Sequence, residues 1–313
     1  MMNPMSNKCL SIWTSLTKDS STAVFKRYDS AHMLDFYLGL DQNGAQLMLL
    51  VSITEPPEQP DMKGVRFRKT QRDDGKWSLL LSLKDRNLME LFSMLCQDLI
   101  DSSRGRTQAD GFSLVLKRLG SWRKLLERNA STLLSESEVR GLVGELSHLV
   151  NLMGEIGSVE AVKVWNGPYG APQDFSADGW GCEVKAIRPS ARFVNIASEY
   201  QLDNTASVIT LVIYEVAECG GEHGLSLSLG GMVEDLRNSL SMFPEAQDDF
   251  DDRILHTGYI ERQEYHRQKF LVSDPTTYNV VQGFPNLVKD DLPAGVCDVK
   301  YKIELAALCQ FTA

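Results

Sequence analysis

Between Gln173 and Ala186 polar and apolar residues alternate on both sides of Asp178-Gly179-Trp180-Gly181, a string with the composition of a tight turn. Such a segment folds back on itself as an antiparallel hairpin. With 178–181 as the loop, Ala177 faces Cys182, Ser176 faces Glu183, Phe175 faces Val184 and Asp174 faces Lys185. Opposed residues share a face, as do alternate residues along a strand. Asp174, Ser176, Glu183 and Lys185 therefore fall on one side. Phe175, Cys182, Val184 and Ala186 fall on the other, which reads as core.

The chain around this hairpin divides into two parts. Met33–Leu40 and Gln46–Ile53 flank the turn Asp41-Gln42-Asn43-Gly44, and Val65–Thr70 and Trp77–Leu83 flank a second turn at Asp73-Asp74-Gly75, so a small antiparallel sheet is expected. The proline-rich string from Glu55 to Pro60 between them is a loop. Helical spacing follows in Asn87–Ser102 and Phe112–Arg128. Ser135-Glu136-Ser137-Glu138 has the form of a capping box opening a third helix, whose apolar face is Val139, Leu142, Val143, Leu146, Leu149, Val150 and Met153. Beyond Gly154 the pattern turns strand-rich. The hairpin leads, followed by an apolar strand over Ser207–Val216, a helix over Met232–Met242, and strands near Phe270–Ser273 and Val299–Leu305. The acidic run Glu245–Asp252 reads as a solvated loop. This order suggests an α/β core with a mixed sheet, and it places a domain boundary near residue 130, separating 1–130 from 131–313.

Composition removes several function classes. Met1–Ser20 has neither the basic start nor the apolar run of a signal peptide, and the longest apolar runs, such as Leu47–Val51, are strand-length. The six cysteines, at 9, 96, 182, 219, 297 and 309, form no CxxC pair and no zinc-spaced group; they read as buried thiols in a reducing cytoplasm. There is no phosphate-binding G-x-x-x-x-G-K-[ST], no G-x-S-x-G elbow and no dinucleotide fingerprint. The net charge of −10 is uneven: residues 1–130 hold 19 Lys/Arg against 15 Asp/Glu, and residues 131–313 hold 13 against 27. The cations Lys63, Arg66, Arg68, Lys69, Arg72 and Lys76 either straddle nucleic-acid phosphates or blunt a solvated strand edge.

Two carboxylates and an ammonium on one strand face are hard to reconcile unless something binds them. Repulsion between Asp174 and Glu183 raises at least one pKa, and a divalent cation relieves it. Oxygen donors in a partly hydrated site suit Mg²⁺, with Mn²⁺ as a substitute. Lys185 can orient or deprotonate a water and offset charge in a phosphorane-like transition state. The chemistry this suggests is metal-assisted phosphodiester hydrolysis. His148, one turn after Glu145, is not needed for it and reads as a packed or solvated histidine. Trp165 and Tyr169, in the loop before the hairpin, either reach a groove or cap the core.

Asp174 followed by Glu183-Val184-Lys185 resembles the signature of the PD-(D/E)XK nuclease superfamily, which includes many restriction endonucleases. Gln173 stands where the motif has Pro, and Pro172 lies one position earlier. Glu145, in Gly144-Glu145-Leu146, is similar to the helical Glu that the superfamily often sets near its metal, and Gln201 stands where several branches carry a polar residue after the catalytic strand. The whole chain, including Gly283-Phe284-Pro285 through Tyr301, resembles a bacterial family named only for this motif and often found beside restriction and phage-defence genes. The resemblance implies a restriction-endonuclease-like mixed sheet flanked by helices, preceded by a smaller α/β domain with an antiparallel sheet. It also implies Asp174 and Glu183 as metal ligands, the Val184 carbonyl as a third, Glu145 as a further one through water, and Lys185 as the catalytic lysine. The expected activity is that of a DNA endonuclease, working as a homodimer or with other subunits of a defence system. The alternatives are a silent DNA-binding or scaffold subunit of a restriction-type complex, and a structure-specific or RNA nuclease in repair.

Overall fold

The computed structural model describes residues 7–127, 133–220 and 224–313. The first six residues, Arg128 as the expected helix end, and the expected boundary at residue 130 lie outside the described residues. Contacts divide the chain into two compact units, one ending at Leu133 and the other beginning at Leu134. Among the described residues no helix is long and apolar enough to cross a membrane.

The first unit opens with helix α1 (Lys8–Ser15) and strand β1 (Val24–Arg27), followed by β2 (Asp35–Leu40), β3 (Gln46–Ser52), β4 (Val65–Gln71) and β5 (Trp77–Leu83). These strands form one antiparallel sheet in the order β1-β2-β3-β5-β4. Helices α2 (Met89–Ser102) and α3 (Gln108–Glu127) follow, and their apolar stripes are buried. Within this unit, the bidentate pair of Arg118 with Asp98 closes together with the Trp122 indole, which donates to the same carboxylate at 2.7 Å.

The second unit carries the hairpin. Helix α4 (Glu136–Ile156) begins at the expected capping box, with the Ser135 and Glu138 side chains each serving the other's backbone amide. It runs through Gly154 and stops only at Gly157, and helix α5 (Ser158–Val164) follows where a strand-rich pattern is expected. On α4 the buried stripe takes Leu152, while Val150 is exposed. Strands β6 (Phe175–Ala177), β7 (Trp180–Ile187), β8 (Phe193–Ile196) and β9 (Val208–Cys219) come next. Helix α6 (Leu229–Leu240) precedes α7 (Pro244–His256), which occupies the acidic run expected to be a solvated loop. The run is amphipathic: Phe250, Ile254 and Leu255 are buried, and Pro244 starts the helix where it needs no amide donor. A short α8 (Gln263–Arg267) and strands β10 (Lys269–Val272), β11 (Thr276–Val280) and β12 (Tyr301–Glu304) complete the unit.

Its main sheet has the order β10-β9-β7-β6, with β11 also on β9. The β7–β9 pair is parallel and the other pairs are antiparallel, which gives the expected mixed α/β sheet. One face packs on α4 through Cys182, Val184, Val212 and Tyr214. The other, through Ile209, Leu211 and Ile213, is covered by the two-stranded ribbon of β8 and β12. All six cysteines are free; only Cys9, Cys96 and Cys182 are buried, and Cys297 and Cys309 are exposed, so the expectation of six buried thiols holds for half of them.

The hairpin register differs from the expected one by two residues. Phe175 pairs with Cys182, Ser176 with Gly181 and Ala177 with Trp180. The turn is Asp178-Gly179 alone, with Gly179 at φ +82° as a two-residue hairpin turn demands. Because the shift is even, every side chain keeps its expected face.

Helix α4 lies so close to β7 that a Cβ on Gly144 would stand 2.8 Å from that of Ala186, whereas Gly141 on the same helix faces open space. Ala at Gly141 should stabilise the fold by up to about 1 kcal/mol through helix propensity. The same change at Gly144 should set an overpacking cost of roughly 1–3 kcal/mol against that gain. Urea unfolding of the two variants should rank Gly144→Ala below Gly141→Ala; equal midpoints would show that the helix is free to shift.

Candidate functional site

Glu183 points from β7 toward the ribbon and is 1% exposed. Neither carboxylate oxygen accepts a hydrogen bond of acceptable geometry, although Lys185 Nζ stands 2.5 Å from Oε1. A buried carboxylate whose one close partner is a single ammonium is costly in any fold. Burial, and after it the Asp174 charge, push its pKa well above the usual range. A solvent-facing salt bridge on an ordinary hairpin does not describe this residue.

Extending the observed register by one residue puts Asp174 across from Glu183. Asp174 is held on both its main chain and its side chain. Its carbonyl accepts from the amides of Asn166 and Gly167, both at 2.8 Å, and its Oδ2 accepts from the Val184 amide at 2.9 Å. The loop passes so near that a Cβ on Gly167 would lie 2.8 Å from Asp174 Oδ1. Asn166 also donates through its side-chain amide to Ser176, which accounts for that residue on the polar face. Burial raises the Asp174 pKa, while Lys185 and the Val184 amide act the other way.

Glu145 reaches the same group from α4. Its Oε2 accepts from the Trp165 indole at 2.8 Å, and Trp165, fully buried, stacks on Phe175. Burial, reinforced by the Asp174 charge, pushes Glu145 up to about 8. Lys185 completes the set. Burial favours its neutral form, but Glu183 and Asp174 outweigh this and its pKa is raised. Gln201 Oε1 accepts from Lys185 Nζ at 3.1 Å and from the Ala197 amide at 2.7 Å. It does so from the turn that follows β8.

Five expected residues, Glu145, Asp174, Glu183, Lys185 and Gln201, thus converge. His148 lies on the opposite face, where its ring contacts Cys182, Tyr214 and Phe175. Burial lowers its pKa to about 4, so it is a neutral packed residue near pH 7. Tyr169 bonds Asp252 at 2.8 Å. The basic cluster belongs to the first unit, on and around edge strand β4. Arg66 faces Asp61 at 3.6 Å, Lys69 meets Glu55 at 2.8 Å and Glu58 at 3.2 Å, and Arg72 meets Asp74 at 3.3 Å, so much of its charge is answered locally. Sequence reasoning missed Asn166, Gly167 and Gln173, which hold the site through backbone contacts; the only signal was a Gly/Pro loop before the hairpin.

Among the described residues no three carboxylate, imidazole or thiol groups already form a ligand cage. The donor chemistry nevertheless fits a hard divalent cation: Glu183 Oε2 is buried without a hydrogen bond, and three carboxyl groups have raised pKa values.

The profile of one protein family, described as "Putative PD-(D/E)XK family member, (DUF4420)", matches residues 9–306. The chain belongs to this family. The match spans both units, so the family includes the antiparallel first unit as well as the mixed-sheet second one. No curated protein matches the chain, and no solved structure does.

The raised carboxyl pKa values fix the sign of a pH effect. In the metal-free protein the native state keeps protons that the unfolded chain releases, so stability should fall as pH rises from about 4.5 toward 8. Thermal unfolding across that range should show the decline. Glu145→Gln should flatten it, and millimolar Mg²⁺ should offset it. A flat profile in the wild-type protein, with or without Mg²⁺, would rule out this electrostatic account.

Proposed function

We propose that this chain is a Mg²⁺-dependent DNA endonuclease, with Mn²⁺ as a working substitute, serving in restriction or phage defence. The observation that carries the reading is the buried Glu183 carboxylate, paired through one oxygen with Lys185 and without a hydrogen bond at the other, next to Asp174. Membership of the PD-(D/E)XK family supports it.

Asp174 and Glu183 would hold the cation, joined by the Val184 carbonyl and, through water, by Glu145. A cation held there supplies a Lewis acid that draws charge from the phosphoryl oxygen and lowers the pKa of the attacking water. The Val184 amide and the Asn166–Gly167 amides keep Asp174 aimed at that position before any ligand arrives. Lys185 Nζ orients the water and offsets the charge that builds on the phosphate. Gln201 Oε1 fixes where that ammonium stands. Trp165 holds Glu145 and closes the back of the site. One such site cuts one strand, so a double-strand break requires a homodimer or two successive cuts.

Incubating the purified chain with unmodified and methylated phage DNA, with Mg²⁺ or EDTA, tests the reading. Mg²⁺-dependent cutting is expected, and Asp174→Ala or Lys185→Ala should lower the rate by at least about 100-fold, the scale of losing one group that stabilises transition-state charge. Cutting that survives both substitutions sinks the assignment. Metal and DNA binding without cutting would favour a scaffold subunit of a restriction-type complex. Cleavage of RNA alone would favour a repair or RNA nuclease.

A further inference from the structure

The turn after β8 carries more than Gln201. Tyr200, one residue before it, leaves its side chain 40% exposed, with Lys289 Nζ 5.8 Å from the ring centroid. The backbone beneath that ring is pinned from three directions. Gln173 Nε2 donates to the Tyr200 carbonyl at 2.8 Å, Asn286 Nδ2 donates to the Leu202 carbonyl at 2.7 Å, and the Val299 amide donates to the Glu199 carboxylate at 3.0 Å. Glu199 is itself 1% exposed. Asp298, beside Val299, is the only non-glycine among the described residues in the left-handed region, at φ +55°. Aspartate tolerates that conformation better than most residues with a Cβ, and here it shapes the segment that clasps Glu199.

The Tyr200 ring is not part of the core on this side of the sheet, which takes Leu202 from the same turn. What the ring has is a position. Gln173, which grips its carbonyl, precedes Asp174, and Gln201, which follows it, touches Lys185. The charge balance of this unit bears on what can dock there. Residues 131–313 hold 13 Lys/Arg against 27 Asp/Glu, so long-range attraction for a polyanion is weak. Stacking of a base on an aromatic face does not depend on net charge.

We infer that Tyr200 and Lys289 form a docking step for an unpaired nucleotide next to the phosphate presented to Lys185. A base stacks on the Tyr200 ring while Lys289 contacts the adjoining backbone phosphate. A base inside a duplex already has both faces stacked and must be extruded first. The substrate class is therefore nucleic acid with a single-stranded stretch at the cut. This rests on the nuclease reading above and narrows its substrate.

The test is fluorescence anisotropy of the full chain in EDTA, where no cutting is expected, with a short oligothymidine, the matching oligouridine and a duplex of equal length. Single strands should bind more tightly than the duplex, and the two sugars separate a DNA from an RNA source. Tyr200→Ala should weaken single-strand binding roughly tenfold or more, the loss expected for one stacked base, while Tyr200→Phe should not. Lys289→Gln should reduce the slope of log affinity against log salt by about 0.7, one phosphate contact on a single strand. Equal affinity for duplex and single strand, or an unchanged Tyr200→Ala variant, overturns the docking step. If Mg²⁺-dependent cutting persists in that case, the nuclease reading stands without it. If the wild-type chain binds none of the three and also fails to cut phage DNA with Mg²⁺, both fall.

Discussion

A carboxylate buried in the middle of a sheet, with one lysine as its close partner, is the constraint around which the second unit is arranged. Glu183 is part of β7, and β7 is placed by its parallel pairing to β9, so moving the carboxylate means moving the sheet. The fold offsets this local cost with apolar burial on both faces, α4 on one and the β8–β12 ribbon on the other. Lys185 supplies the opposite charge at Glu183, and Gln201, held by the Ala197 amide, defines where Lys185 can stand. A buried polar group this poorly satisfied calls for an explanation beyond packing, whether strain, an ordered water or ion, or a catalytic role.

The pieces that support the site come from stretches of chain far apart in sequence. Asp174 is held by the loop after α5, Glu145 by an indole from the same loop, and the Gln201 turn by Gln173, Asn286 and Val299. None of these is a long-range charge effect. Each is a short contact that fixes one backbone position, and together they let reactive groups be positioned before a substrate arrives.

Where periodicity is strong, the sequence was readable. The two hairpins of the first unit, the capping box of α4 and the apolar strand β9 follow from alternation, helical spacing and turn composition. Short elements such as β1, β8 and β11 escaped because four or five residues with mixed exposure carry no period. Helix α7 escaped because its acidic residues masked an apolar stripe at Phe250, Ile254 and Leu255. The candidate site was legible in its side chains, since residue type and strand parity bring Asp174, Glu183 and Lys185 to one face. Its backbone supports were not, because amide donors such as those of Asn166 and Gly167 carry no residue-type signature.

The two-residue turn at Asp178-Gly179 has a consequence for how such a site can be lost. With this turn Asp174 stands across from Glu183, as one carboxylate facing another. Were Trp180 and Gly181 to leave the strand and join the loop, the pairing would shift by two residues, every side chain would keep its face, and Asp174 would come opposite Lys185 instead. The two carboxylates would then no longer face each other and Asp174 would pair with Lys185, with all three residues still present in the sequence. Loop length alone could thus silence a lineage that a motif search would still count as intact.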